Sequence, residues 1–145
     1  MVFSEVSVSE ILPVRQQVLR QGKPLEACMM ESDELSTTQH FALKENQKVV
    51  AIATIMQQKN DLFSQEKQVR LRGMAVLPEY QKQQLGKKLL TQVENKFVKP
   101  HYDLMWFNAR EKAVPFYRKL GFEIIGERFL IEGIGEHFVM YKSYE

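Results

Sequence analysis

The residues with chemistry to offer gather in a few places, and the first follows Val76. There a polar turn, Pro78-Glu79-Tyr80-Gln81-Lys82-Gln83-Gln84, leads to Leu85-Gly86. Leu85, Leu89, Val93 and Phe97 then recur at four-residue spacing, with Leu90 beside them, which predicts one buried stripe of a helix. The alternating run Arg70 to Leu77, stopped by Pro78, predicts a strand ahead of the turn. The first N–H groups of a helix lack intrahelical partners and lie at the positive end of its dipole. Lys82, Lys87 and Lys88 add positive charge. Phosphate or pyrophosphate is the ligand best suited to this strand–turn–helix.

A second place is the end of the chain. His137 lies early in the last predicted strand, with Glu132 and Glu136 around the same hairpin. Histidine titrates near neutral pH, as a general base must. The plainer alternative is a structural histidine in a strand. His40 opens an earlier strand, and His101 follows Pro100 in a loop expected to face solvent. A third place is acidic: Glu26, Glu31, Asp33 and Glu34 have no lysine or arginine among them. They would attract a cation or form a solvated loop. Cys28 is the only cysteine, so it makes no internal disulfide and no cysteine metal cluster. With Met29 and Met30 it reads as packing, and no metal is expected.

The elements that must position these groups follow from periodicity. Val2 to Val8 predicts a strand, and Ser9-Glu10 opens a helix with Ser9 as N-cap and Pro13 in the first turn. Leu25 to Thr38 reads as loop with one short helical turn. Gln39 to Leu43 and Val49 to Met56 predict a hairpin, the second strand covered on both faces. After the Arg70 strand and its helix, Asp103 to Phe107 predicts a buried strand. Asn108 to Gly121 holds a second short helix, with Pro115 near its start and Gly121 as C-cap. Phe122–Ile131 and Glu136–Lys142 close the chain as a hairpin. A helical crossover makes the Arg70 and Asp103 strands parallel, and the short connections make the others antiparallel. The expected class is α/β, a mixed, mostly antiparallel sheet flanked by helices, as a single domain over residues 1–145.

With 44% hydrophobic and 26% charged residues the chain is ordinary and globular. A net charge of +2 gives no reason to expect nucleic acid or an anionic membrane as partner. Charges scattered through Met1–Leu19 exclude a signal peptide or membrane span there, so a reducing, cytoplasmic location is the expectation.

Three motifs, in order, resemble the GNAT superfamily of acetyl-coenzyme A-dependent N-acetyltransferases. Gln81-Lys82-Gln83-Gln84-Leu85-Gly86 is similar to the family's Q/R-x-x-G-x-G/A loop. Asn108-Ala109-Arg110 follows an apolar strand, and Phe116-Tyr117-Arg118-Lys119-Leu120-Gly121-Phe122 matches F-Y-x-x-x-G-F. The resemblance implies acetyl-CoA as cosubstrate and direct transfer of acetyl to a primary amine in a ternary complex. It implies that Gln81 to Lys87 hold the pyrophosphate and that Met74, Ala75 and Val76 hold the pantetheine arm. Asn108 would bind pantetheine or support a helix start, and Phe116 would pack in the core or on the cofactor. Tyr117 would protonate the departing thiolate. For the base, the residues themselves offer His137 or, equally, an ordered water relay to Glu132 or a backbone carbonyl; a homodimer is common in the family. Gln84 stands where the family has glycine, so the sign of its φ decides whether the loop is strained. The alternative function is a sensor that binds acyl-CoA without useful catalysis. The acceptor amine has no motif.

Overall fold

The computed structural model describes residues 1–144. Its strands are β1 (Val2–Val6), β2 (Gln39–Glu45), β3 (Lys48–Gln57), β4 (Gln68–Val76), β5 (Leu104–Arg110), β6 (Glu123–Ile131) and β7 (Gly135–Ser143). Its helices are α1 (Val8–Val18), α2 (Leu85–Val93) and α3 (Val114–Lys119), and a π-turn over Glu94–Val98 extends α2. The seven strands form one sheet in the order β1-β2-β3-β4-β5-β7-β6. Every neighbouring pair is antiparallel except β4–β5, which is parallel as α2's crossover requires.

The alternation of β2, β3 and β4 assigns the helices to opposite faces. Thr54 is paired with both His40 and Arg72 and meets α1 through a 3.0 Å hydrogen bond from Arg15. Phe41 and Leu71 point the other way, and Phe41 packs at 4.7 Å against Phe97 from the end of α2. Leu85, Leu89, Leu90 and Val93 are all buried, as the four-residue spacing predicts. No helix among the described residues is long and apolar enough to cross a membrane.

Three local expectations need correction. The first strand ends at Val6, so Ser7 rather than Ser9 caps α1, and its N–H donates to Glu10 Oε2 at 3.1 Å. Both serines have the chemistry of a cap; the capping-box spacing to Glu10 selects Ser7. Pro13 then falls in the second turn of α1. Its missing N–H leaves the Ser9 carbonyl to water, which exposed Ser9 can reach. Asn108 lies within β5, not after it, opposite Val139 of β7. Pairing with β7 keeps this poor strand-former extended.

Candidate functional site

The turn before α2 is held from both ends. The Leu77 N–H donates to the Val50 carbonyl at 2.9 Å, and Gln81 Nε2 donates to the Val76 carbonyl at 2.9 Å. Lys82 and Gln84 both take positive φ, 66° and 62°. At Gln84 the left-handed conformation turns the chain into the helix, and the Lys88 N–H is the first to reach back, to the Gln84 carbonyl at 3.0 Å. The N–H groups of Leu85, Gly86 and Lys87 therefore have no helical acceptor. Gly86 is required for packing: a Cβ there would lie 3.2 Å from the Phe116 ring and 3.3 Å from Met74 Cε. The turn, the helix start, the end of β4 and α3 line a cleft of about 930 Å³.

Below this cleft β4 is distorted. Ile52 pairs with Ala75 and Thr54 with Arg72, so Gly73 and Met74 together face Ala53 alone. This is a β-bulge, with Gly73 at φ 60°. Behind it lies an ion pair: Arg15 donates to Asp33 Oδ2 at 2.6 Å and Oδ1 at 3.0 Å, with both side chains fully buried. A Cβ on Gly73 would come within 3.2 Å of Arg15 Nε. Burial pushes the Asp33 carboxyl up, but Arg15 and the Met30 N–H outweigh it and hold it below the usual aspartate range. His40 Nε2 meets the Asp33 carbonyl at 3.0 Å, so that nitrogen is the donor. Its Nδ1, 2.8 Å from Thr54 Oγ1, then accepts from the hydroxyl. His40 is thereby a satisfied structural histidine behind the bulge.

β4 and β5 pair only at Gln68–Leu104, Val69–Met105 and Arg70–Trp106, and then part. A second cleft, of about 370 Å³, opens between them on the α1 face. Met74, Arg110, Ala113 and Tyr117 line both clefts, so the two meet through the gap in the sheet. The Tyr117 ring packs 4.3 Å from Phe107, and its hydroxyl lies 3.7 Å from Met74 Sδ. Burial pushes the phenol up to about 12.

A family model for the acetyltransferase (GNAT) domain matches residues 14–143. The chain belongs to the GNAT family. It is 33% identical over 138 residues to an uncharacterized N-acetyltransferase, YitI, of Bacillus subtilis (strain 168), covering 95% of this chain and 93% of that protein. Two solved structures share the fold. One is the ribosomal-protein-S18-alanine N-acetyltransferase of Escherichia coli, with TM-score 0.75 and 20% identity over 99% of this chain and 93% of that one. The other is an aminoglycoside 6'-N-acetyltransferase complexed with coenzyme A, with TM-score 0.78 and 14% identity over 100% and 98% of the two chains. The expected family and fold class are borne out, and this GNAT protein is an enzyme of the N-acetyltransferase class.

Within the GNAT fold the sequence-predicted residues separate cleanly. Met74, Ala75, Val76, Gln81, Lys82, Gln84, Leu85, Gly86, Lys87, Phe116 and Tyr117 all line the first cleft. Gln83 instead turns back, with Nε2 3.5 Å from the Glu79 carbonyl. Asn108 and His137 line the second cleft. His137 is 5% exposed, and its Nδ1 meets the Gly135 carbonyl at 2.8 Å, which makes Nδ1 the donor. Nε2 is left with a lone pair. It has no partner among the described residues, yet it is not among the buried unpartnered atoms, so it keeps access to solvent. The acidic segment does not face the second cleft: Asp33 is spent on Arg15, and Glu26, Glu31 and Glu34 are exposed outside the lining. Arg20, Arg70, Arg72 and Arg110 line it instead. The sequence does carry a signal for two of these, since Arg70-x-Arg72 on a strand must share one face.

Proposed function

We propose that this GNAT enzyme acetylates a primary amine by direct attack on acetyl-CoA, with both substrates bound at once. The observation that carries the proposal is the gap between β4 and β5, where two clefts meet at Met74 and Tyr117. One cleft has groups for the cofactor: free N–H groups from Leu85 to Lys87, Lys82 and Lys87 nearby, and a bare Gly86, where a Cβ would press on the Phe116 and Met74 side chains of the lining. Beyond Arg70 the β4 edge has no strand partner, so its N–H and C=O groups suit an extended pantetheine arm at Met74, Ala75 and Val76. The other cleft admits the amine.

Acetyl-CoA supplies the acetyl group as a thioester and leaves as a thiol. His137 Nε2 takes the proton that the attacking ammonium must lose. A C–N bond forms, the C–S bond breaks, and a backbone N–H of the bulge near Met74 stabilises the carbonyl oxygen as it gains charge. Tyr117 donates to the departing sulfur. A phenol near 12 stays protonated throughout the working range. It is a weaker acid than a thiol, whose pKa is roughly 8.5. Tyr117 therefore acts chiefly as a hydrogen-bond donor to the thiolate, and the second proton, which the nitrogen sheds as the C–S bond breaks, passes through water to the sulfur.

The test is coenzyme A release over a panel of amines with initial-velocity kinetics. Intersecting lines in double-reciprocal plots are expected. Parallel lines would replace direct attack by a covalent acetyl-enzyme. Tight acetyl-CoA binding with no turnover on any amine would instead make this chain an acyl-CoA sensor.

A further inference from the structure

The second cleft is unusual in its charge. Four guanidinium-bearing residues, Arg20, Arg70, Arg72 and Arg110, line it, and among the described residues no aspartate or glutamate does. None of the four forms an ion pair among the described residues; the nearby buried carboxylate, Asp33, is taken by Arg15. Arg70 is braced in place. Its guanidinium lies 4.9 Å above the Trp106 ring and donates to Gln58 Oε1 at 3.2 Å, but Nε is shut off from solvent with no partner. Buried donors of this kind are rare without an acceptor, and guanidinium groups two residues apart on one strand face repel each other; Asp33 and Glu31 offset this at Arg72 but not at Arg70.

We infer that the acceptor is a small amine bearing an oxyanion, a carboxylate or a phosphate, which Arg70 and Arg72 hold while its amine faces Met74 and Tyr117. This rests on the acetyl transfer proposed above and adds the substrate class to it. Guanidinium groups suit such an anion because their planar fork donates two parallel hydrogen bonds. The cleft volume of about 370 Å³ sets the size of the ligand. Arg72 precedes Met74 by two residues, about 7 Å along a strand, so anion and amine are separated by a few bonds, as in a small amino acid. Burial, then the nearby Arg72, lowers the Arg70 guanidinium to about 10, and an incoming anion would relieve both causes.

The experiment uses matched acceptors with the intact enzyme: β-alanine against β-alaninamide, 2-aminoethyl phosphate against ethanolamine, and spermidine as a cationic amine. The anionic member of at least one pair should show kcat/KM roughly 100-fold above its neutral partner. Whichever pair responds tells carboxylate from phosphate. Arg72→Met and Arg70→Met should each raise KM for that acceptor at least about tenfold and erase the preference within the pair. Acetyl-CoA affinity by calorimetry and an unshifted melting temperature verify that the variants are folded. Should either variant misfold, the acceptor pairs on the unaltered enzyme still decide. Preference for the amide, ethanolamine or spermidine overturns the inference and leaves acetyl transfer standing. Failure of every amine to release coenzyme A overturns both.

Discussion

A phenol pushed up to about 12 by burial contributes the same donor at pH 6 and at pH 10, which separates Tyr117 from any group that titrates in between. Tyr117→Phe should lower kcat about 100-fold while leaving the shape of the pH–rate profile below pH 10 unchanged, with acetyl-CoA affinity retained. Unchanged turnover in a folded variant would remove Tyr117 from the chemistry. Gln84 invites the opposite kind of change. Its φ of 62° is one that glycine adopts freely. The left-handed conformation costs an ordinary residue about 1–2 kcal/mol, whereas glycine brings about 0.5–1 kcal/mol of extra chain entropy to be lost. Gln84→Gly should therefore raise stability by up to about 1 kcal/mol and keep or tighten acetyl-CoA binding; weaker binding in a titration would mean that the Gln84 side chain itself holds the ligand.

At the scale of elements, the bulge in β4 rests on an ion pair from much earlier in the sequence. Asp33 holds Arg15, and Arg15 lies beneath Gly73. Asp33→Asn would leave a buried guanidinium uncompensated, at a cost of about 3–5 kcal/mol. Equilibrium urea unfolding would measure this, and activity should fall with it because Met74 follows the bulge. The sign of the pH dependence is fixed. Asp33 is held below its unfolded value, so its stabilisation is present above roughly pH 4 and is lost as the pH falls through the folded value. The variant should therefore have a flatter acid limb. None of this was legible in the sequence. Glu26, Glu31, Asp33 and Glu34 read alike as a charged run, and only tertiary structure separates the one that is buried. Likewise Arg70 to Val76 reads as an unbroken strand, since a bulge is a property of the pairing and leaves the alternation almost intact. Gly73 is its one local mark.

At the scale of the molecule, the sheet order follows from patterns that the sequence does display: strands of period two, a helix of four-residue spacing, and connections either too short or long enough for a crossover. Those same patterns place α2's N-terminus beside β4, which is why the loop proposed to hold the cofactor was legible as a candidate anion site. The proposed acceptor cleft was not, because Arg20, Arg70, Arg72 and Arg110 come from separate stretches that only the parting of β4 from β5 brings together. A ligand bridging these elements should stabilise the whole fold: acetyl-CoA at 100 times its Kd adds about 2.7 kcal/mol, read as a melting temperature that keeps rising with the logarithm of ligand concentration.

The short β4–β5 pairing also bears on solubility. Sheets usually keep unpaired backbone at their outer borders, where charge or a covering element can guard it. Here a stretch of β4 from Leu71 to Val76 presents such an edge in the middle of the sheet. It is a template for another extended chain, and in the proposed complex the pantetheine arm would occupy it. On slow heating below the melting point, light scattering should rise sooner in the ligand-free enzyme than in the saturated one. Coenzyme A with its pantetheine arm should suppress that rise, and 3',5'-ADP, which has the anion but no arm, should not.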